Sequence, residues 1–208
     1  MSREAMQTAL DPFYLIVDDA DWVERLVPVG VKLVQLRCKG MSDDELREHI
    51  RRAKACCIAH DCTLVINDYW RLAIEEQCAW LHLGQEDLAQ ADLPAIRAAG
   101  LRLGISTHDK AELTTALAAQ PDYVALGPVW ETKLKKMPWS PQGLPKVGEW
   151  KRRIGGLPLV GIGGVTVERL PDLFAAGADI AAVVTDITHH EDPEARTRKW
   201  IDGTRAAV

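Results

Sequence analysis

No apolar run in this 208-residue chain approaches the roughly 18 residues needed to span a bilayer, and the opening MSREAMQTALD lacks the apolar core of a secretory leader. A soluble, cytoplasmic protein with no membrane partner is expected. The five cysteines, Cys38, Cys56, Cys57, Cys62 and Cys78, are odd in number, which suits a reducing compartment better than a disulfide framework. Cys56, Cys57, His60 and Cys62 sit close together but without paired CxxC spacing, so packed or surface thiols are expected there rather than zinc. Basic residues are not in excess: the net charge of -5 argues against nucleic acid as a general partner. There is also no tandem repeat, linker, GxSxG elbow, HExxH pair or dinucleotide fingerprint after the first apolar run.

What is present is 47% apolar and 26% charged sequence, enough for a sizeable core without metal or disulfide support. One domain over 1–208 is expected, with 1–11 a loosely packed or flexible N-terminal segment. Short runs rich in Val, Ile and Leu recur along the chain: FYLIVD (13–18), KLVQLR (32–37), TLVIND (63–68), WLHLG (80–84), RLGIST (102–107), YVALGP (123–128), PLVGIGG (158–164) and AAVVTDI (181–187). Nearly continuous apolar character suits strands covered on both faces. Amphipathic stretches lie between most of them, including one from Ser42 with Glu45 three residues on, and others at 108–119, 166–176 and 192–206. Alternation of this kind predicts an α/β fold with a parallel sheet. Eight strand candidates favour a (β/α)8 TIM barrel over a doubly wound open sheet.

In such a barrel the C-terminal ends of the strands line the active site. The second run ends in Gln35, Arg37 and Lys39 at alternating positions, an amide and two cations projecting to one side as a cradle for phosphate or diphosphate. The third ends in Asn67-Asp68, and the fourth runs through His82 into Gln85, Glu86 and Asp87. Asp68 and Asp87 fit magnesium held partly through substrate phosphates, although aspartates at such junctions also serve as helix caps. Ser106 offers a hydroxyl to a phosphate oxygen, whereas His108 reads as a first-turn helix residue. Gly163 and Gly164 after the seventh run, with Val184 and Thr185 ending the eighth, are candidates for a second phosphate site. Two anion sites at one mouth suggest two phosphorylated small-molecule substrates and a diphosphate leaving group.

The series VQLRCKG (34–40), INDYWRLA (66–73), LHLGQEDL (81–88), GISTH (104–108), DYVALGP (122–128) and VGIGGV (160–165) resembles the thiamine-phosphate synthase family over nearly the whole chain. The resemblance implies a magnesium-dependent enzyme that joins 4-amino-2-methyl-5-pyrimidinylmethyl diphosphate to a thiazole phosphate by a dissociative route. It implies Gln35, Arg37, Lys39 and Asn67 on the pyrimidine diphosphate, Asp68 and Asp87 on magnesium, and Ser106 and Lys135 on the leaving diphosphate. Thr132, Gly163 or Gly164, Val184 and Thr185 would hold the thiazole phosphate. The family pattern Thr-Pro-Thr followed by Lys is here Thr132-Lys133-Leu134-Lys135, so one expected threonine is replaced by Leu134. That substitution falls in the basic loop GPVWETKLKKMPWSPQGL (127–144), which reads as irregular chain and a candidate lid. The related thiazole tautomerase and a non-catalytic thiamine phosphate-binding protein are the alternatives. The tautomerase has no need of Arg37, Lys39, Asp68 and Asp87 together, and the replacement by Leu134 is the only support for the binding protein. The oligomeric state is not fixed by sequence; a homodimer is one assembly it allows.

Overall fold

The computed structural model describes residues 10–132 and 140–207. Eight strands, β1 (Phe13–Val17), β2 (Leu33–Leu36), β3 (Thr63–Asn67), β4 (Trp80–Leu83), β5 (Arg102–Thr107), β6 (Tyr123–Leu126), β7 (Leu159–Gly161) and β8 (Ile180–Val183), pair in parallel and in sequence order. Strand β8 closes on β1 through Phe13 opposite Ala181 and Leu15 opposite Val183, so the sheet is a closed barrel rather than an open one. Each strand coincides with one of the eight apolar runs.

The helices are α1 (Ala20–Leu26), α2 (Asp43–Ala59), α3 (Trp70–Glu75), α4 (Gln85–Gln90), α5 (Leu93–Ala98), α6 (Lys110–Ala118), α7 (Gly143–Ile154), α8 (Leu170–Ala175), α9 (Thr185–Thr188) and α10 (Pro193–Ala207). Helix α2 opens with the anticipated capping box: Ser42 accepts from the Glu45 amide, and the Glu45 carboxylate accepts from the Ser42 amide at 2.8 Å. Helix α6 is capped by Asp109, which leaves His108 outside it. The stretch 166–176 divides into a 3-10 turn, Val167–Arg169, and α8, with Pro171 in the first turn of α8 where its missing N–H is not needed. The irregular stretch expected to reach residue 144 ends earlier, because Gly143 and Leu144 already belong to α7. Among the described residues, no helix is long and apolar enough to cross a membrane.

Two cores result from the period-2 alternation of strand side chains. Leu15, Val34, Leu36, Ile66, Leu81, Leu83, Ile105, Val124 and Leu126 face outward against the helices. Tyr14, Ile16, Leu33, Val65, Trp80, Tyr123, Ala125, Val160, Ile180 and Ala182 fill the barrel interior, with Leu10, Ile162 and Val184 packed against them. Leu10 and Asp11, placed by sequence in a loose N-terminal segment, are thus engaged: Leu10 packs on the interior, and the Asp11 carboxylate accepts from the Phe13 amide at 2.9 Å. Burial of each large apolar side chain is worth about 1.5–3 kcal/mol, so the two layers together dominate the stability of the fold.

Candidate active site

Leu36 and Cys38 lie in the outer core, so the intervening positions Gln35 and Arg37 turn toward the interior and mouth of the barrel. The pairing of β1 with β2 extends one residue beyond β2 through the Arg37 amide, which donates to the Val17 carbonyl at 2.8 Å and fixes this alternation. Gln35 is buried and its Nε2 donates to the Tyr14 hydroxyl at 2.7 Å. Lys39 is exposed beyond Arg37 at the rim.

At the end of β3, Asn67 is buried and its Nδ2 donates to Asp68 Oδ2 at 2.5 Å. Asp68 has φ of 66°, a left-handed conformation that Asn, Asp and Gly tolerate best, and this turn aims its carboxylate at Asp87 in the first turn of α4. Neither α3 nor α4 has a side-chain cap, so these two aspartates are not spent on capping. Burial raises the Asp68 carboxyl above its ordinary value, and the facing Asp87 raises it further; Lys39 and Arg37 are near enough to oppose the shift. A cavity of about 270 Å³ opens beside the pair, bounded by Asp43, Tyr69 and Arg71 as well as both aspartates. Two repelling carboxylates beside two cations form a set that a divalent cation, itself carrying phosphate ligands, would neutralise.

Ser106, half-buried at the end of β5, meets His82 Nε2 at 2.8 Å, while Gln85 Nε2 donates to its backbone carbonyl at 2.7 Å. Burial, with a smaller contribution from the Arg37 charge, pushes the His82 imidazole down to about 4, so the ring is neutral. His108 is occupied elsewhere: its Nδ1 lies 2.8 Å from Glu112, and its carbonyl accepts from Lys146.

The loops after β6 and β7 are zipped together. The Val129 amide donates to the Ile162 carbonyl at 2.8 Å and the Trp130 amide to the Gly163 carbonyl at 2.9 Å. Gly163 and Gly164 have φ of 93° and 65°, and a Cβ on either would strike backbone, Pro128 Cα at 2.6 Å in one case and the Glu131 carbonyl oxygen in the other. Glycine therefore lets the β7 loop lie directly under the loop that leads to Thr132. After β8, Val184 precedes α9 and Thr185 begins it; this corner is fastened by Asp186, which takes two hydrogen bonds from Arg196 and one of 2.7 Å from Trp200 Nε1. Lys135 and Leu134 lie outside the described residues.

A family model described as thiamine monophosphate synthase matches residues 13–187 of this architecture. The chain is 68% identical over 195 residues to the thiamine-phosphate synthase of Rhizobium etli, covering 94% of this chain and 96% of that one. The chain belongs to the thiamine-phosphate synthase family. It is accordingly an enzyme, a transferase. The family's synthase of Salmonella schwarzengrund is 48% identical, with 91% of this chain and 90% of that one covered. In fold, the chain is similar to the solved thiamine phosphate pyrophosphorylase of Pyrococcus furiosus, with a TM-score of 0.83 at 21% identity over 94% of this chain and 96% of that one.

Tyr14, His82 and Tyr123, which the sequence alone leaves without a role, lie beside these positions in the barrel interior. Each is a polar side chain at an inward position of an otherwise apolar strand, and each is fully engaged inside the barrel. The usable signal was the polar group itself, because a buried hydroxyl or imidazole needs a partner.

Proposed function

We propose that this chain joins a pyrimidinylmethyl diphosphate to a thiazole phosphate, giving thiamine phosphate and diphosphate, with both substrates held at the C-terminal mouth of the barrel. The observation that carries this reading is the Asp68–Asp87 pair, set side by side without capping work and flanked by Arg37 and Lys39. A thiazole tautomerase has no use for that combination.

Asp68 and Asp87 would hold magnesium, which prefers oxygen ligands and commonly takes only one or two protein carboxylates beside phosphate. When bound it supplies positive charge to the departing diphosphate. Arg37 and Lys39 add to that charge, Arg37 through its planar fork and Lys39 as a point charge. Gln35 and Asn67 orient the pyrimidine, and Ser106, with Lys135, donates to the diphosphate. Thr132, Gly163, Gly164, Val184 and Thr185 hold the thiazole phosphate. The C–O bond to diphosphate breaks first and its electron pair leaves with the diphosphate; the thiazole nitrogen lone pair then forms the new C–N bond. No proton transfer is required at the carbon, so the protein acts by stabilising charge and aligning the reactants. The compartment is the cytoplasm, and the acidic net charge supports small molecules rather than nucleic acid as partners.

The test is turnover by the purified protein with both substrates and magnesium, followed as thiamine phosphate and diphosphate in equal amounts. Isomerisation of the thiazole without diphosphate release would favour the tautomerase, and tight thiamine phosphate binding without turnover would favour the binding protein.

A further inference from the structure

Five polar side chains from five strands join end to end across the barrel interior. Gln35 Nε2 donates to the Tyr14 hydroxyl at 2.7 Å, Tyr14 and Tyr123 hydroxyls meet at 3.0 Å, Tyr123 meets His82 Nδ1 at 2.8 Å, and His82 Nε2 meets Ser106 Oγ at 2.8 Å. All but Ser106 are buried, and their rings are packed on one another: Tyr123 stacks on His82 and meets Tyr14 edge-on. Room for the Tyr123 ring is made by Gly104, where a Cβ would collide with Tyr123 Cζ. The chain of contacts is therefore built into the barrel.

Each hydroxyl has one proton to give, so the direction of the whole chain follows from its first member. An amide N–H only donates. Tyr14 must then accept from Gln35 and give its proton to Tyr123, and Tyr123 must give its own to His82 Nδ1. A neutral imidazole with a bare Nδ1 carries its proton on Nε2 and donates it to Ser106 Oγ. Ser106, already accepting, has its own proton left for whatever lies beyond it in the mouth. With this amide orientation the opposite sense strands the buried Tyr14 proton without an acceptor, which is unfavourable.

We propose that Gln35 controls the Ser106 hydroxyl through Tyr14, Tyr123 and His82, so that recognition of the aminopyrimidine ring and hydrogen-bond donation to the leaving diphosphate are one coupled device. This rests on the roles given above to Gln35 and Ser106. An aminopyrimidine presents an N–H donor beside a ring-nitrogen acceptor, and a primary amide is its complement. With its Nε2 donating to Tyr14, Gln35 has its Oε1 left as the acceptor for such a ring. If the amide turned its oxygen to Tyr14, every bond in the chain would reverse. Ser106 would then donate inward to His82 and present only lone pairs to an anion. A ring that reads the amide in one orientation thus selects the donor state of the serine 2.8 Å beyond the histidine. Tyr14, Tyr123 and His82 are positioning residues in this device, acting through Gln35 and Ser106.

Two measurements on the full chain test it. The first is the imidazole tautomer of His82 in the wild-type protein saturated with a free aminopyrimidine, read by long-range proton–nitrogen correlation NMR of histidine-labelled material, with the signal assigned by its change in Tyr123→Phe. Protonation at Nε2 is expected; protonation at Nδ1 overturns the proposal whether or not the protein turns over. The second is a double-mutant cycle on kcat. Tyr123→Phe is expected to lower kcat about tenfold or more, the scale of losing one hydrogen bond to a charged group, with a smaller change in KM for the pyrimidine diphosphate. In a Ser106→Ala background the same change should have little further effect. Equal losses in both backgrounds would mean that Tyr123 only packs. Absence of turnover in wild type would instead count against the assigned reaction, and the tautomer would still decide the relay.

Discussion

Asp68→Asn is expected to lower kcat/KM at saturating magnesium by about 10²–10³-fold and, in the same protein freed of metal, to raise the melting temperature. The two effects have one cause. Removing one charged contact to a transition state costs on the order of 3–4 kcal/mol in a site that excludes water, which is two to three decades of rate. In the metal-free fold, however, the carboxyl raised by burial and by Asp87 is a liability. A raised carboxyl holds its proton to higher pH in the folded state than in the unfolded chain, whose value is about 3.9. As pH climbs past that value the unfolded chain ionises first, and the fold loses stability until its own Asp68 has ionised. The penalty is present in full above the folded-state value, and asparagine removes it. For a chain of this size about 1 kcal/mol corresponds to roughly 2–4 °C, so differential scanning fluorimetry in chelator should show a rise of a few degrees that disappears in acid. Asparagine also keeps the left-handed backbone at φ 66°, which alanine would strain. Asp87→Asn should lose activity similarly. An unchanged magnesium dependence of rate in both variants would return these residues to a structural role.

Gly163→Ala is expected to act on the other half of the site. The added methyl would meet Pro128 Cα and Cβ at 2.6 Å and sit on a backbone of φ 93°, so the zipped β6 and β7 loops must part. Overpacking and left-handed strain together cost about 2–4 kcal/mol, a fall in Tm of roughly 5–15 °C. The kinetic signature should be a rise of tenfold or more in KM for the thiazole phosphate, with KM for the pyrimidine diphosphate changed much less. Equal increases in both constants would show that the β7 loop supports the whole mouth rather than one phosphate.

The contrast between these halves reflects what a linear sequence encodes strongly. Strands buried on both faces must be apolar throughout, so all eight were visible as runs, and with their ends came the rim positions Gln35, Arg37, Lys39, Asn67 and Ser106. The longer α2 announced itself through its capping box, whereas α1, α3, α4 and α5 span seven residues or fewer, too short to display a helical period. Asp68 was visible as a residue but its left-handed turn was not, because there the Asp68 amide adds a rung to the pairing with the neighbouring β4, donating to the His82 carbonyl at 2.9 Å, and that pairing forms only in the sheet. The Tyr14–Tyr123–His82 chain was hidden for a similar reason. Three polar groups from β1, β6 and β4 converge only once the sheet has closed.

In the proposed reaction two anion sites share one mouth, one needing a cation and one not. Calorimetric titration of inorganic diphosphate and of the thiazole phosphate, each with and without magnesium, tests this most directly. Diphosphate should bind at least tenfold more tightly with magnesium in wild type and lose that gain in Asp68→Asn, while thiazole phosphate binding should ignore the metal. Diphosphate affinity indifferent to magnesium, or thiazole phosphate affinity that tracks it, would contradict the assignment.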